Sequence, residues 1–174
     1  SDVNATNQYG YNALIYAARF GNEKSVELIL PESDAKASDK DGCTALIYAA
    51  EYGTEKSVEL LVPVSDAKAT DKWGYTALMQ AAMKGNVKSM ELLLPGSDIN
   101  ARDKHGKTAL DYAKSSGNYQ TVKLLQQHIL SNPFLDPESS TGNSGQPSQA
   151  SPFIGLGLAA ILSIFCVLLR INEL

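Results

Sequence analysis

Apolar residues along the first 130 positions come in short bursts that recur every 32 residues. One full unit, Asp39–Thr70, reads DKDGCTALIYAAEYGTEKSVELLVPVSDAKAT. The burst Ala45-Leu46-Ile47-Tyr48-Ala49-Ala50 predicts a short helix with a small packing face, and Val58, Leu61 and Val62 recur at helical spacing in a second. Thr44, Thr76 and Thr108, with Asn12 in the first unit, stand where the first helix needs a capping oxygen. Asn22, Thr54, Asn86 and Asn118 hold the same place for the second helix. Asp39-Lys40-Asp41-Gly42 is turn chemistry, Gly53 is expected to close the first helix in the left-handed conformation, and Pro63 is expected to stop the second.

The register is strict. Gly10, Gly42, Gly74 and Gly106 are 32 apart, as are Gly21, Gly53, Gly85 and Gly117. The units are 7–38, 39–70, 71–102 and 103–130. Residues 1–6 match the end of a unit, Ser1-Asp2-Val3-Asn4-Ala5 against Ser97-Asp98-Ile99-Asn100-Ala101, so the sequence is expected to begin inside a repeat with further repeats before it. Helices of about eight residues are marginal alone in water, and only stacking of neighbouring units can bury their apolar sides. In the last unit Gln127 replaces the periodic proline, so the final helix is expected to run on through His128-Ile129-Leu130.

The pattern D-x-x-G-x-T-A-L-x-x-A-A-x-x-G-N/T-x-x-S-V-x-L-L resembles the ankyrin repeat over residues 1–130. The resemblance implies an all-α solenoid of stacked helix-turn-helix units joined by hairpin turns. Three departures stand out. The unit has 32 rather than about 33 residues. The family's Thr-Pro-Leu-His box appears as Thr-Ala-Leu-Ile, Thr-Ala-Leu-Met or Thr-Ala-Leu-Asp. A usually aliphatic position of the second helix holds Ser25, Ser57, Ser89 and Thr121.

Beyond the repeats the composition changes. Residues 131–150, rich in Ser, Pro, Gly, Asn and Gln, are expected to form a flexible polar linker. Phe153–Leu169 holds eleven Leu, Ile, Phe or Val residues among seventeen, and Pro152–Leu169 carries no charge. A helix over 151–170 would span about 30 Å, the thickness of a hydrocarbon core, and residues 171–174 would form a short tail. This layout resembles tail-anchored membrane proteins. Arg170 just past the span argues for that end in the cytosol, whereas ankyrin arrays are mostly cytosolic. The reading adopted is a single-pass membrane protein with cytosolic repeats, at the endoplasmic reticulum or another endomembrane. Gly155, Ala159 and Ser163, four apart, suggest a stripe for a weak homodimer.

Charge and chemistry exclude more than they assign. The 174 residues carry 15 basic and 19 acidic side chains, a net charge of −4, which does not suit a nucleic-acid binder. Cys43 and Cys166 are too few for a disulfide scaffold or a four-thiolate zinc site. No catalytic constellation, metal spacing or cofactor motif is present, so the chain reads as a non-enzyme with no catalytic residue, metal or cofactor.

The informative positions are those that break the repetition. In ankyrin folds the hairpin tips and first helices line a partner-binding face. Carried over position by position, the resemblance implies as partner contacts Tyr9, Tyr11, Arg19 and Phe20 in the first unit, and Lys40, Asp41, Tyr48, Glu51 and Tyr52 in the second. Trp73, Tyr75, Gln80, Met83 and Lys84 follow in the third, and His105 in the fourth. Seven of the eight tyrosines and the only tryptophan fall in the wider variable set, which also includes Tyr16, Cys43, Lys72, Lys107 and Tyr112. Tyr16 and Tyr48 are the members most suited to filling gaps between units instead. Aromatic side chains dominate interface hot spots, which favours a protein-binding adaptor at a membrane. The alternative is the C-terminal part of a larger protein, such as an ankyrin-linked kinase or channel.

Overall fold

The computed structural model describes residues 2–131. Four helix pairs occupy them: α1 (Ala13–Arg19) with α2 (Glu23–Ile29), α3 (Ala45–Tyr52) with α4 (Glu55–Leu61), α5 (Ala77–Lys84) with α6 (Val87–Leu93), and α7 (Ala109–Ser115) with α8 (Tyr119–Ser131). A 3-10 turn, Leu30–Glu32, follows α2. First helices pack in the order α1, α3, α5, α7, second helices in the order α2, α4, α6, α8, and each first helix also packs on its own second helix. Isolated bridges, Ser38 to Thr44 and Thr70 to Thr76, close two of the hairpins.

Local chemistry explains why such short helices form. Every first helix is capped through the predicted residue: Asn12, Thr44, Thr76 and Thr108 accept from the amides of Ile15, Ile47, Met79 and Asp111 respectively. The second helices are capped likewise by Asn22, Thr54, Asn86 and Asn118. Capping satisfies amides that a two-turn helix would otherwise leave bare, and packing supplies the rest. Leu14, Leu46 and Leu78 are fully buried, as are Val26, Val58 and Met90 one layer over. With no proline at its end, α8 extends to thirteen residues where the other second helices have seven.

One expectation is corrected. Gly53 is extended, at φ −80° and ψ 179°, not left-handed, although Gly21, Gly85 and Gly117 are. The difference accompanies the cap that follows. Thr54 sits at ψ 159°, where Asn22 and Asn86 sit at 82° and 91°, as suits a β-branched residue. Glycine is still required at 53, because a Cβ there would lie 2.7 Å from the Ala49 carbonyl oxygen.

The expected span at 151–170 and the stripe Gly155, Ala159 and Ser163 lie outside the described residues, as does the linker expected at 131–150 apart from Ser131, which instead ends α8. Among the described residues no helix is long and apolar enough to cross a membrane.

Candidate protein-binding face

Each tip is organised by one acidic or amide side chain, buried in the case of Asp39, Asp71 and Asp103 and exposed in that of Asn7. Oδ1 of Asp39 accepts the amides of Asp41 and Cys43 at 2.8 and 2.9 Å, and Oδ1 of Asp71 those of Trp73 and Tyr75 at 2.9 and 2.8 Å. Asp103 holds His105 and Lys107 in the same way, and Asn7 holds Tyr9 and Tyr11. Successive tips are joined through their backbones: Lys40, Lys72 and Lys104 donate to the carbonyls of Tyr9, Asp41 and Trp73. The side chains at the tip centre are thereby fixed in a row.

Of the fifteen candidates, Tyr9, Phe20, Lys40, Tyr52, Trp73, Lys84 and His105 are exposed. Tyr11, Arg19, Asp41, Glu51, Tyr75 and Met83 are half-buried. Tyr48 and Gln80 are buried, at 5% and 8% exposure, which corrects their placement on an open face. They fill the seams between units, as does Tyr112. The reason is positional. Tyr16, Tyr48, Gln80 and Tyr112 share one repeat position, and in the later three units the preceding unit covers it. Tyr16, on the outer side of the first described unit, is 54% exposed.

The seam residues are chemically paired. Tyr48 donates to Asp39 Oδ2 at 2.7 Å and is hydrogen bonded to the Tyr11 hydroxyl of the preceding unit at 3.3 Å. Tyr112 repeats both contacts, with Asp103 and with Tyr75 of the preceding unit. Burial, together with the bonds to Tyr11 and Asp39, holds the Tyr48 hydroxyl protonated far above the usual tyrosine range. In the seam between these two, the smaller pair Cys43 and Gln80 occupies the same positions, both buried. Burial pushes the Cys43 thiol up to about 12, so it stays neutral and packs as a small apolar group.

Cations flank the exposed rings. Arg19 crosses from the first unit to the second, its guanidinium carbon 5.0 Å from the ring centre of Tyr48 and 5.8 Å from that of Tyr52. Lys84 lies 5.1 Å from the centre of the Tyr52 ring. Lys72 sits 4.3 Å over Trp73 while its ammonium pairs with Asp41 at 2.7 Å. Sequence comparison within a unit misses these contacts, since each joins different repeat positions. The seam pairs 11 with 48 and 75 with 112 are each 37 residues apart, one unit plus five, so they emerge only when different repeat positions of neighbouring units are compared. No group of three His, Cys, Asp or Glu side chains suited to a metal occurs among the described residues.

Four stacked helix pairs with hydrogen-bonded tips define a helical repeat solenoid. The chain matches the family described as ankyrin repeats (3 copies) over residues 1–71 and 58–133, and it belongs to that family. No curated protein matches the chain. Ankyrin repeats are as a rule non-catalytic modules of protein–protein interaction.

Proposed function

We propose that the chain is an adaptor without catalysis of its own, which holds a protein partner on its tip and first-helix face and is tied to a membrane through residues 151–170. The observation that carries the binding half is the row of exposed aromatics, Tyr9, Phe20, Tyr52 and Trp73, interleaved with Arg19, Lys72 and Lys84. Rigid rings beside cations offer large contact area at small entropic cost.

The membrane half rests on the apolar composition of 153–169 alone. On this reading the repeats face the cytosol, as ankyrin arrays mostly do, at the endoplasmic reticulum or a related membrane. Full-length chain expressed in cells should stay in the membrane pellet through alkaline carbonate extraction. The repeats should be digested by protease added outside intact microsomes. Extraction into the supernatant, or protection of the repeats, would refute the anchoring or the orientation respectively.

For the face, full-length chain in detergent should select binders from a random peptide display. Trp73→Ala and Tyr52→Ala should each weaken those binders about tenfold or more, with unchanged helical circular dichroism. Normal binding by both variants would move the interface elsewhere.

A further inference from the structure

We propose that Arg19 is a receptor for a carboxylate, so that the partner of this face presents an acidic residue beside an apolar one. The proposal rests on the binding reading above and specifies its chemistry. Arg19 ends α1, and its Nη1 donates to the hydroxyls of Tyr11 at 2.7 Å and of Tyr48 at 3.1 Å. The rings of Tyr11, Tyr48 and Tyr52 surround the guanidinium, with centres 5.5, 5.0 and 5.8 Å away. Tyr48 is buried and anchored on Asp39. The guanidinium is therefore oriented by side chains that are themselves fixed, and little freedom remains to be lost when a ligand binds.

An arginine presents five N–H donors, and the bonds above use one nitrogen. Nε and Nη2 make no hydrogen bond among the described residues, and no carboxylate there lies within ion-pair distance of Arg19. The neighbouring cations differ: Lys72 has Asp41 and Lys84 has Glu51. The planar guanidinium keeps one free edge, Nε and Nη2, partly shielded from water, and it matches the two oxygens of a carboxylate. Tyr9 and Phe20 stand exposed along the same groove and supply apolar walls for the adjoining residue of the ligand. A phosphate would call for a second free cation, and Lys84 is engaged by Glu51 and the Tyr52 ring.

The test uses the full chain in detergent and a random dodecapeptide display, keeping the peptides whose binding falls with Tyr52→Ala. These should carry Asp or Glu at one fixed position next to an apolar residue. Changing that acid to its amide, or Arg19→Gln in the chain, should each cost roughly tenfold to a hundredfold in affinity. The two changes together should cost no more than either alone. Peptides without an acid, or equal affinity for Arg19→Gln, would overturn the carboxylate receptor and leave the adaptor reading intact. Tighter binding when phosphotyrosine replaces the acid would overturn it in favour of a phosphate ligand. Absence of any binder sensitive to Tyr52→Ala or Trp73→Ala would instead overturn the adaptor reading. If Arg19→Gln loses its helical signal, the acid-to-amide change in the peptide decides alone, with Arg19→Lys as the folded comparison.

Discussion

Tyr48 donates its hydroxyl to Asp39, nine residues earlier, across the interior of its own unit at 2.7 Å. The bond ties the tip to the helix behind it, because Oδ1 of the same carboxylate organises the tip amides. Tyr112 and Asp103 repeat the bond two units on. Hydrogen bonds to charged groups contribute about 1.5–3 kcal/mol, and a buried carboxylate that loses a donor is penalised further. Tyr48→Phe should therefore lower the free energy of unfolding by about 2 kcal/mol in urea titration, and it also removes one of the two hydroxyls that hold Arg19. A loss under about 0.5 kcal/mol would mean that the bond adds nothing net.

Ser89 poses the opposite case. It is fully buried and its hydroxyl has no partner among the described residues, at a position that is usually aliphatic in the family. Thr121, at the same repeat position and equally buried, donates to the Asn118 carbonyl at 2.9 Å. An unsatisfied buried hydroxyl costs about 1–3 kcal/mol. Ser89→Ala should raise stability by about 1 kcal/mol, whereas Thr121→Ala should lower it. Thermal melts of the two variants should move in opposite directions, and a fall for Ser89→Ala would refute the argument.

Much of this was legible in the sequence because it is local. Caps such as Thr76 and Asn86 act over three residues, and tips such as Asp71-Lys72-Trp73-Gly74 over four, so the repeat itself displays them. Burial across units was not legible in the same way. Tyr16 and Tyr48 occupy one position of the motif, yet one is exposed and the other buried, because the covering surface belongs to a different unit. Arg19 likewise reads as an isolated variable residue until the fold brings Tyr48 and Tyr52 to it. Gly53 misled for a subtler reason: periodicity gives the residue that a position tolerates, and two different constraints, left-handed backbone and close approach, select the same one.

The tip glycines separate those constraints. Gly74 combines φ +89° with a tight setting, since an added Cβ would lie 2.9 Å from Cα of Asp103 in the next tip. Gly106 has φ +75°, but nothing within 4 Å. Left-handed backbone alone costs a side-chain-bearing residue about 1–2 kcal/mol. Gly106→Ala should destabilise by about 1 kcal/mol, and Gly74→Ala by about 3 kcal/mol or more, since backbone cannot step aside without breaking the Lys104-to-Trp73 bond. Equal losses in denaturant titration would show that the tips adjust freely.

Acid should unpick the last unit through its carboxylates. Burial works against ionisation of Asp103, but the Tyr112 hydroxyl and the amides of Lys107 and His105 outweigh it and hold the carboxyl below its ordinary value. Asp111 is held down chiefly by the Thr108 amide, and also by the Thr108 hydroxyl in the capping box of α7. Both groups thus bind protons more weakly folded than unfolded. Their stabilisation is complete at neutral pH, where both states are ionised. It declines as pH drops below about 4–5, where the unfolded carboxylates begin to take up protons, and it is gone once the folded groups are protonated too. Melting temperature should therefore fall on acidification through this window, and the fall should be shallower in Asp103→Asn and in Asp111→Asn. Asparagine retains an acceptor for the tip or cap amides but cannot titrate, so it isolates the charge. Curves of equal steepness for the wild type and both variants between pH 5 and 3 would assign the acid sensitivity to other carboxylates.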